Sequence, residues 1–268
     1  MTASLPDATT SVSHFSSPFD LTGSAVLVTG ARRGLGRAIA LEFARAGADV
    51  AIGLRDVSDD AGLASEIEAL GRRALPVRLD ATDLEGGRTA IDRAVEEFGR
   101  LDTLVNNAGG GIMGAAIDVT EYDFDRVWAL NTKSTYFLSQ HAARHMRDAG
   151  GGSIVNVASQ AGLVALPGES AYCVAKAAVV HMTRCHAVEW GGYGIRVNAL
   201  APTFIETDGT QAALSDPEFR ADTLERIAGL HRIGVPREVS GAAVFLASPA
   251  ASLVTGQTLA IDGGWTAR

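Results

Sequence analysis

Only two lysines, Lys133 and Lys176, stand among the 23 basic residues of the chain, and Lys176 lies four residues after Tyr172. On a helix, positions i and i+4 share a face, so the ammonium can sit under the phenol oxygen and favour its ionised form. Thirteen residues before Tyr172, Ser159 closes an apolar run that reads as a strand. The carboxyl ends of strands are where open α/β sheets place their ligands. A Tyr-x-x-x-Lys pair occurs by chance in many helices, so its weight depends on a second feature far upstream.

That feature is the passage from the apolar run Ala25 to Thr29 into Gly30-Ala31-Arg32-Arg33-Gly34-Leu35-Gly36, followed by a helical pattern. Strand, glycine turn and helix start together form an anion site, in which backbone N–H groups and the helix dipole face a pyrophosphate. The spacing is G-x-x-x-G-x-G, not the more widespread G-x-G-x-x-G. Gly30 permits the tight turn, Gly34 lets backbone approach the ligand, and Gly36 lets the helix pack on the strand. The alternative is a glycine-rich turn that holds no ligand.

A dinucleotide would be identified by the end of the second strand. NAD calls for a carboxylate on the ribose hydroxyls there, and NADP for a cation on the 2′-phosphate. The strand ends Ile52-Gly53-Leu54-Arg55-Asp56. Arg55 stands just past it and Arg33 inside the glycine turn, so two guanidinium groups can converge on a phosphate. NADP(H) is favoured. NAD(H) is the alternative, with Asp56 folded back to the ribose and Arg55 facing solvent.

These groups must be positioned by the elements around them. Short apolar runs bounded by turn residues alternate with longer stretches of helical periodicity, the pattern of βαβ units around a parallel sheet. Seven strands are expected, at 25–29, 49–54, 74–80, 101–106, 153–159, 196–200 and 258–262. Helices are expected at 34–46, 59–70, 84–98, 121–147, 171–190 and 237–247. The fold class is therefore α/β. No repeat or linker-like shift marks a second domain, so one domain is expected over 19–268. The polar stretch 203–232, with Asp208-Gly209, Asp216-Pro217 and a short helical pattern at 218–228, is expected to be a substrate lid.

Composition narrows the classes. The chain has 268 residues, 47% hydrophobic and 20% charged, with 30 Gly and 8 Pro, which excludes fibrous, disordered and disulfide-scaffold readings. A net charge of -8 argues against nucleic acid as a partner. Cys173 and Cys185 lie 12 apart in one expected helix, roughly 18 Å, too far for a disulfide. They read as buried thiols of a reducing compartment, and the expected location is cytoplasmic. Residues 1–18, rich in Ser and Thr, read as a flexible tail without a secretory or transit signal. No stretch reaches the ~20 apolar residues of a membrane span. His141, His145, His181, His186 and His231 show no sequence spacing with carboxylates that suggests a metal site, so no metal is expected. Trp128 and Trp190 read as core or interface anchors. The helix at 171–190 is apolar nearly all round, with Lys176, Arg184 and Glu189 its only charges, as in a helix buried on more than one side.

The chain resembles a single-domain member of the short-chain dehydrogenase/reductase family. The matching stretches are Thr29 to Gly36, Asn106-Asn107-Ala108-Gly109, Asn131, Ser159, Tyr172-Cys173-Val174-Ala175-Lys176, Arg196-Val197-Asn198-Ala199 and Asp262-Gly263-Gly264. The resemblance implies a Rossmann-like, doubly wound parallel sheet with helices on both faces, and hydride transfer between a nicotinamide and the carbon of a small-molecule alcohol or carbonyl substrate. Tyr172 would be general acid or base, and Ser159 would hydrogen-bond the reacting oxygen. Lys176 would hold the nicotinamide ribose and tune Tyr172, and Asn131 would hold a water in a proton relay. Asp80 and Ala81 would meet the adenine edge, Asn107, Ala108 and Gly109 the adenosine side, and Pro202, Thr203, Ile205 and Thr207 the nicotinamide amide. Gly30, Arg32, Arg33, Gly34, Leu35 and Arg55 complete the expected cofactor set. The family usually has Gly after Pro202, and Thr203 resists positive φ, so a different lid entry is expected. A homotetramer or homodimer is implied. A catalytically silent nucleotide-binding sensor is the alternative, disfavoured by the intact Ser159, Tyr172, Lys176 and Asn131 set.

Overall fold

Runs in which nearly every residue is apolar form strands here because a sheet covered on both faces can bury them whole. In the computed structural model, which describes residues 17–267, the strands are β1 (Ala25–Thr29), β2 (Asp49–Leu54), β3 (Ala74–Arg78), β4 (Thr103–Asn106), β5 (Gly152–Val157), β6 (Ile195–Pro202) and β7 (Thr258–Ile261). They pair in parallel in the order β3-β2-β1-β4-β5-β6-β7. The expected seven-stranded, doubly wound α/β sheet is what the chain forms. The expected tail lies outside the described residues except for Ser17 and Pro18.

The helices are α1 (Gly34–Arg45), α2 (Leu63–Ala69), α3 (Leu84–Phe98), α4 (Glu121–Trp128), α5 (Ser134–Asp148), α6 (Ser170–Trp190), α7 (Gln211–Leu214), α8 (Pro217–Arg226) and α9 (Pro236–Ala247). Alternate strand residues point to opposite faces, and the core divides accordingly. Val26, Val28, Val50 and Ile52 meet Ile39 and Phe43 of α1, Ile67 of α2 and Val239 of α9. Leu27, Ala51, Leu104 and Ile154 meet Ile91 of α3, Leu138 and Met146 of α5 and Ala187 of α6. Each large side chain so buried contributes about 1.5 to 3 kcal/mol relative to exposure. The chain winds outward in both directions from β1 and β4, and the crevice at their carboxyl ends is where such sheets bind ligands.

Several boundaries differ from expectation, each for a local reason. β3 stops at Arg78, because Asp80 turns the chain by accepting hydrogen bonds from the N–H and hydroxyl of Thr82. α2 starts at Leu63 instead of 59, because the Asp60 carboxylate caps Gly62 and Ala64. β5 ends at Val157, leaving Ser159 two residues beyond the strand, and β6 runs on to Pro202. The helix expected at 121–147 is divided by a π-helical turn, Ala129–Lys133. There Asn131 Nδ2, Ser134 Oγ and Thr135 Oγ1 donate to the carbonyls of Val127, Leu130 and Asn131, one turn back, and such side-chain bonds compete with the regular ladder. Cys185 is exposed and Cys173 only half-buried, so neither is the buried thiol expected; both are free.

Between β6 and α9 the expected lid carries α7 and α8. Ile205 bridges to Gly234, and Phe204, Leu214, Phe219, Ile227, Ile233 and Trp265 form a separate apolar cluster. Among the described non-glycine residues only Ala61 and His231 have positive φ. Thr203 therefore enters the lid without a left-handed backbone, its N–H on the Ile261 carbonyl.

Candidate active site

The glycine turn closes over the end of β1. Gly30 and Gly34 have φ of +63° and +56°, a region that glycine enters without a Cβ penalty. A Cβ on Gly36 would lie 2.3 Å from the Gly30 carbonyl oxygen and 2.5 Å from Asn107 Nδ2, so α1 can approach the turn only with glycine there. Arg33 is the N-cap of α1 and offers no side-chain hydrogen bond to it. The first N–H groups of α1, including that of Leu35, therefore keep the free donors that bind phosphate oxygens at helix starts. A dinucleotide pyrophosphate fits this cradle.

Opposite the turn, Asn107 fastens β4 to β1. Its Nδ2 donates to the carbonyls of Thr29 (2.9 Å) and Gly30 (3.2 Å), while the N–H groups of Asn107 and Ala108 both donate to Thr29 Oγ1 at 2.9 Å. Gly109 follows, exposed, and Ala81 is buried beside Asp80. The Thr82 N–H holds the Asp80 carboxyl below its usual range, and the charges of Arg55 and Arg78 act in the same direction. Arg55 and Arg33 are both exposed. Asp56 does not fold back along the strand: its carboxylate accepts the N–H and hydroxyl of Ser58. Arg32 is engaged elsewhere, paired with Asp59 at 2.6 Å.

The reactive groups gather at the carboxyl ends of β4 and β5. Tyr172 lies on the first turns of α6, its ring against the backbone of Gly111, where a Cβ would come within 3.2 Å of it. Burial pushes the Tyr172 phenol up to about 12; the neighbouring Ser159 hydroxyl pulls the other way, and the charges of Glu169 and Cys173 add to the rise. Ser159 Oγ donates to Gln160 Oε1 at 2.8 Å and accepts the Ala161 N–H at 3.1 Å. Lys176 is 3% exposed, and burial pushes its ammonium down to about 8. Its Nζ donates to the Val157 carbonyl at 2.8 Å and stands 5.6 Å from the centre of the Tyr172 ring. The ammonium thus stands over the Tyr172 ring, fixed on a backbone carbonyl.

Asn131 occupies the π-helical turn, where such irregularities often mark functional sites. Both its amide hydrogens are committed, to the carbonyls of Gly110 and Val127 at 2.8 Å, and its Oδ1 accepts the Gly110 N–H at 3.1 Å. It braces the 109–111 loop against Tyr172 and Lys176. From the lid, Thr207 comes over the glycine turn, its Cβ 3.5 Å from where a Cβ on Gly34 would stand. Pro202 and Ile205 are buried behind it.

Two residues near the centre escaped the sequence reading. Glu169, the N-cap of α6, is half-buried, and burial raises its carboxyl above the usual range. Its i+3 spacing to Tyr172 was the available signal. Gln160, buried against Ser159, gave none.

A sequence profile described as enoyl-(acyl carrier protein) reductase matches residues 30–266. The chain is 42% identical over 254 residues to 2-dehydro-3-deoxy-D-gluconate 5-dehydrogenase of Escherichia coli, covering 94% of this chain and 99% of the relative. It is 38% identical over 253 residues to an NAD-dependent glycerol dehydrogenase of Listeria innocua, covering 94% and 97%. The crystal structure of gluconate 5-dehydrogenase from Burkholderia cenocepacia in complex with NADP and tartrate superposes with a TM-score of 0.90 at 35% identity, over 94% of this chain and 98% of that one.

Proposed function

Because the chain belongs to the short-chain dehydrogenase/reductase family, we propose that this NAD(P)-dependent oxidoreductase interconverts a secondary alcohol and a ketone on a small polyhydroxy compound, a sugar acid or a polyol. The observation that carries this reading is the meeting of Tyr172, Ser159 and Lys176 beside a glycine turn whose helix start has free donors. Gly30, Arg33, Gly34 and Leu35 would hold the pyrophosphate, Asp80, Ala81 and Asn107 to Gly109 the adenosine, and Pro202 to Thr207 the nicotinamide end. Bound there, the nicotinamide supplies or accepts the hydride.

The remaining chemistry belongs to the chain's own side chains. In ketone reduction Tyr172, protonated across the neutral range, donates its phenolic proton to the oxygen as charge develops there. In alcohol oxidation the phenolate must take that proton, and the Lys176 ammonium, fixed on Val157, is the nearby positive charge that favours it. Ser159 turns its hydroxyl from Gln160 to the reacting oxygen; a hydroxyl rotor does this without moving its carbon frame. Asn131 keeps one acceptor lone pair beyond its three bonds, which is where it would hold the relay water.

NADP(H) is the favoured cofactor. Its support is Arg55 and Arg33 at the ribose end, with Asp56 tied to Ser58 instead of facing the ribose. The relatives include an NAD-dependent enzyme and one crystallised with NADP, so the preference rests on this chain's residues. Residues 203–232 act as the substrate lid of a single domain. Val174 and Val188 of α6 are 52% and 85% exposed, an apolar face suited to a homodimer or homotetramer. No helix among the described residues is long and apolar enough to cross a membrane, and two free cysteines fit the reducing cytoplasm.

The test is a panel of polyols, sugar acids and their keto forms, each with NADP and NAD in both directions, followed at the absorbance of the reduced nicotinamide. Turnover of a polyhydroxy substrate is expected. Cofactor binding without turnover of any of them would favour the silent sensor.

A further inference from the structure

We propose that Asp92, His141 and His145 form a binding site for a divalent transition-metal ion of the zinc class, clamping α3 to α5 away from the dinucleotide crevice. His141 and His145 are four residues apart and share one face of α5. Each Nε2 lies 2.7 Å from the same oxygen, Asp92 Oδ1, on α3. The three donor atoms lie within 4.8 Å of one another, and the rings are splayed at 78° with centroids 5.2 Å apart. Zinc bonds of about 2.0 to 2.2 Å in a tetrahedron place donors about 3.3 to 3.6 Å apart, so each histidine nitrogen needs to draw back from Asp92 Oδ1 by about 0.6 to 0.9 Å from its present 2.7 Å.

The surroundings suit a cation. The histidine side chains are 16% and 33% exposed and held, whereas Asp92 is 52% exposed and can swing. The solvent side leaves room for water to complete the coordination. His145 stands in the last turn of α5, where the helix dipole is negative. Two imidazoles and one carboxylate suit zinc, nickel or copper, whereas magnesium and calcium call for oxygen ligands.

Each ring reaches the ion through Nε2, and the proton that Nε2 carries in its bond to Asp92 moves to Nδ1. The Nδ1 of His141 is buried without a hydrogen-bond partner, so that transfer is not repaid there. Three ligands with this cost point to micromolar affinity rather than the tight binding of closed structural sites. His145 lies fourteen residues beyond Asn131 along the helical run, about 20 Å at 1.5 Å per residue. The ion is therefore a clamp between helices, and turnover does not need it.

The experiment uses the full-length chain without a polyhistidine tag, stripped with a chelator and titrated with Zn2+ against a chromogenic zinc indicator. One zinc per chain is expected, with affinity reduced at least about tenfold in His141→Ala, in His145→Ala and in Asp92→Asn. Magnesium should not compete. His181→Ala and Cys185→Ser remove an exposed histidine and cysteine one turn apart on α6, a competing donor pair, and should leave binding unchanged. Melting curves in chelator verify that each variant is folded. Zinc uptake that survives both histidine variants on α5, uptake lost in the α6 variants instead, or no binding tighter than about 100 µM would overturn the proposal.

Discussion

Gly36→Ala isolates the contact on which the dinucleotide reading depends. Ordinary van der Waals contact starts near 3.4 Å, and the new Cβ would stand 2.3 Å from the Gly30 oxygen and 2.5 Å from Asn107 Nδ2. Neither neighbour yields easily: the first is backbone, and the second is held by two hydrogen bonds to the end of β1. The turn and the start of α1 must therefore separate by about 1 Å. Overpacking of this kind costs about 1 to 3 kcal/mol of stability, a fall in Tm of roughly 2 to 10 °C for a chain of this size. Displacing the turn removes one or two charge-assisted hydrogen bonds to the pyrophosphate, about 1.5 to 3 kcal/mol each, so Kd should rise at least about tenfold. Both NADP and NAD should weaken alike, because the pyrophosphate is common to them. Calorimetric titration measures Kd, and thermal unfolding measures stability. Gly71→Ala is the control: Gly71 has φ +76° with nothing within 4 Å of an added Cβ, so this variant loses stability through backbone strain with cofactor binding intact. A folded Gly36→Ala protein with Kd within about threefold of wild type would refute the anion site at α1.

Four further outcomes follow from the same geometry. Tyr172→Phe keeps the ring against Gly111 and removes only the phenolic oxygen, so kcat should fall at least about 100-fold with cofactor Kd nearly unchanged; a tenth of wild-type kcat in this variant would remove Tyr172 from proton transfer. Because burial raises the Tyr172 pKa to about 12, the proton-accepting form is scarce at neutral pH, and the rate of alcohol oxidation should climb as pH rises while ketone reduction, served by the protonated phenol, stays nearly level; a flat oxidation profile between pH 6 and about 10 would contradict this. Arg55→Ala should raise KM for NADP much more than for NAD, with the difference shrinking at high salt because Arg55 is exposed; equal effects on both would move the ribose contact elsewhere. Light scattering at micromolar concentration should give a dimer or tetramer mass, and a monomer would leave the exposed Val174 and Val188 without a role.

The sheet could be read from the chain because a strand buried on both faces must be apolar throughout, and β1, β2 and β5 are buried along nearly their whole length. The glycine turn and the Tyr172-Lys176 spacing were equally visible, since both are local. What escaped the reading was where side chains point and which distant helices meet. The alternative placed Asp56 on the ribose with Arg55 in solvent, yet Ser58 stands two residues on and takes the Asp56 carboxylate, a turn contact that Asp56-Val57-Ser58 carries in its own sequence. No comparable signal existed for Asp92, which lies 49 residues from His141. Their meeting depends on how closely α3 can approach α5, and Gly87 sets that distance: a Cβ there would fall 2.5 Å from Leu138 Cδ2. A residue without a side chain on one helix thus fixes which carboxylate two histidines on another can reach, and sequence spacing records such a pairing only after the helix register is known.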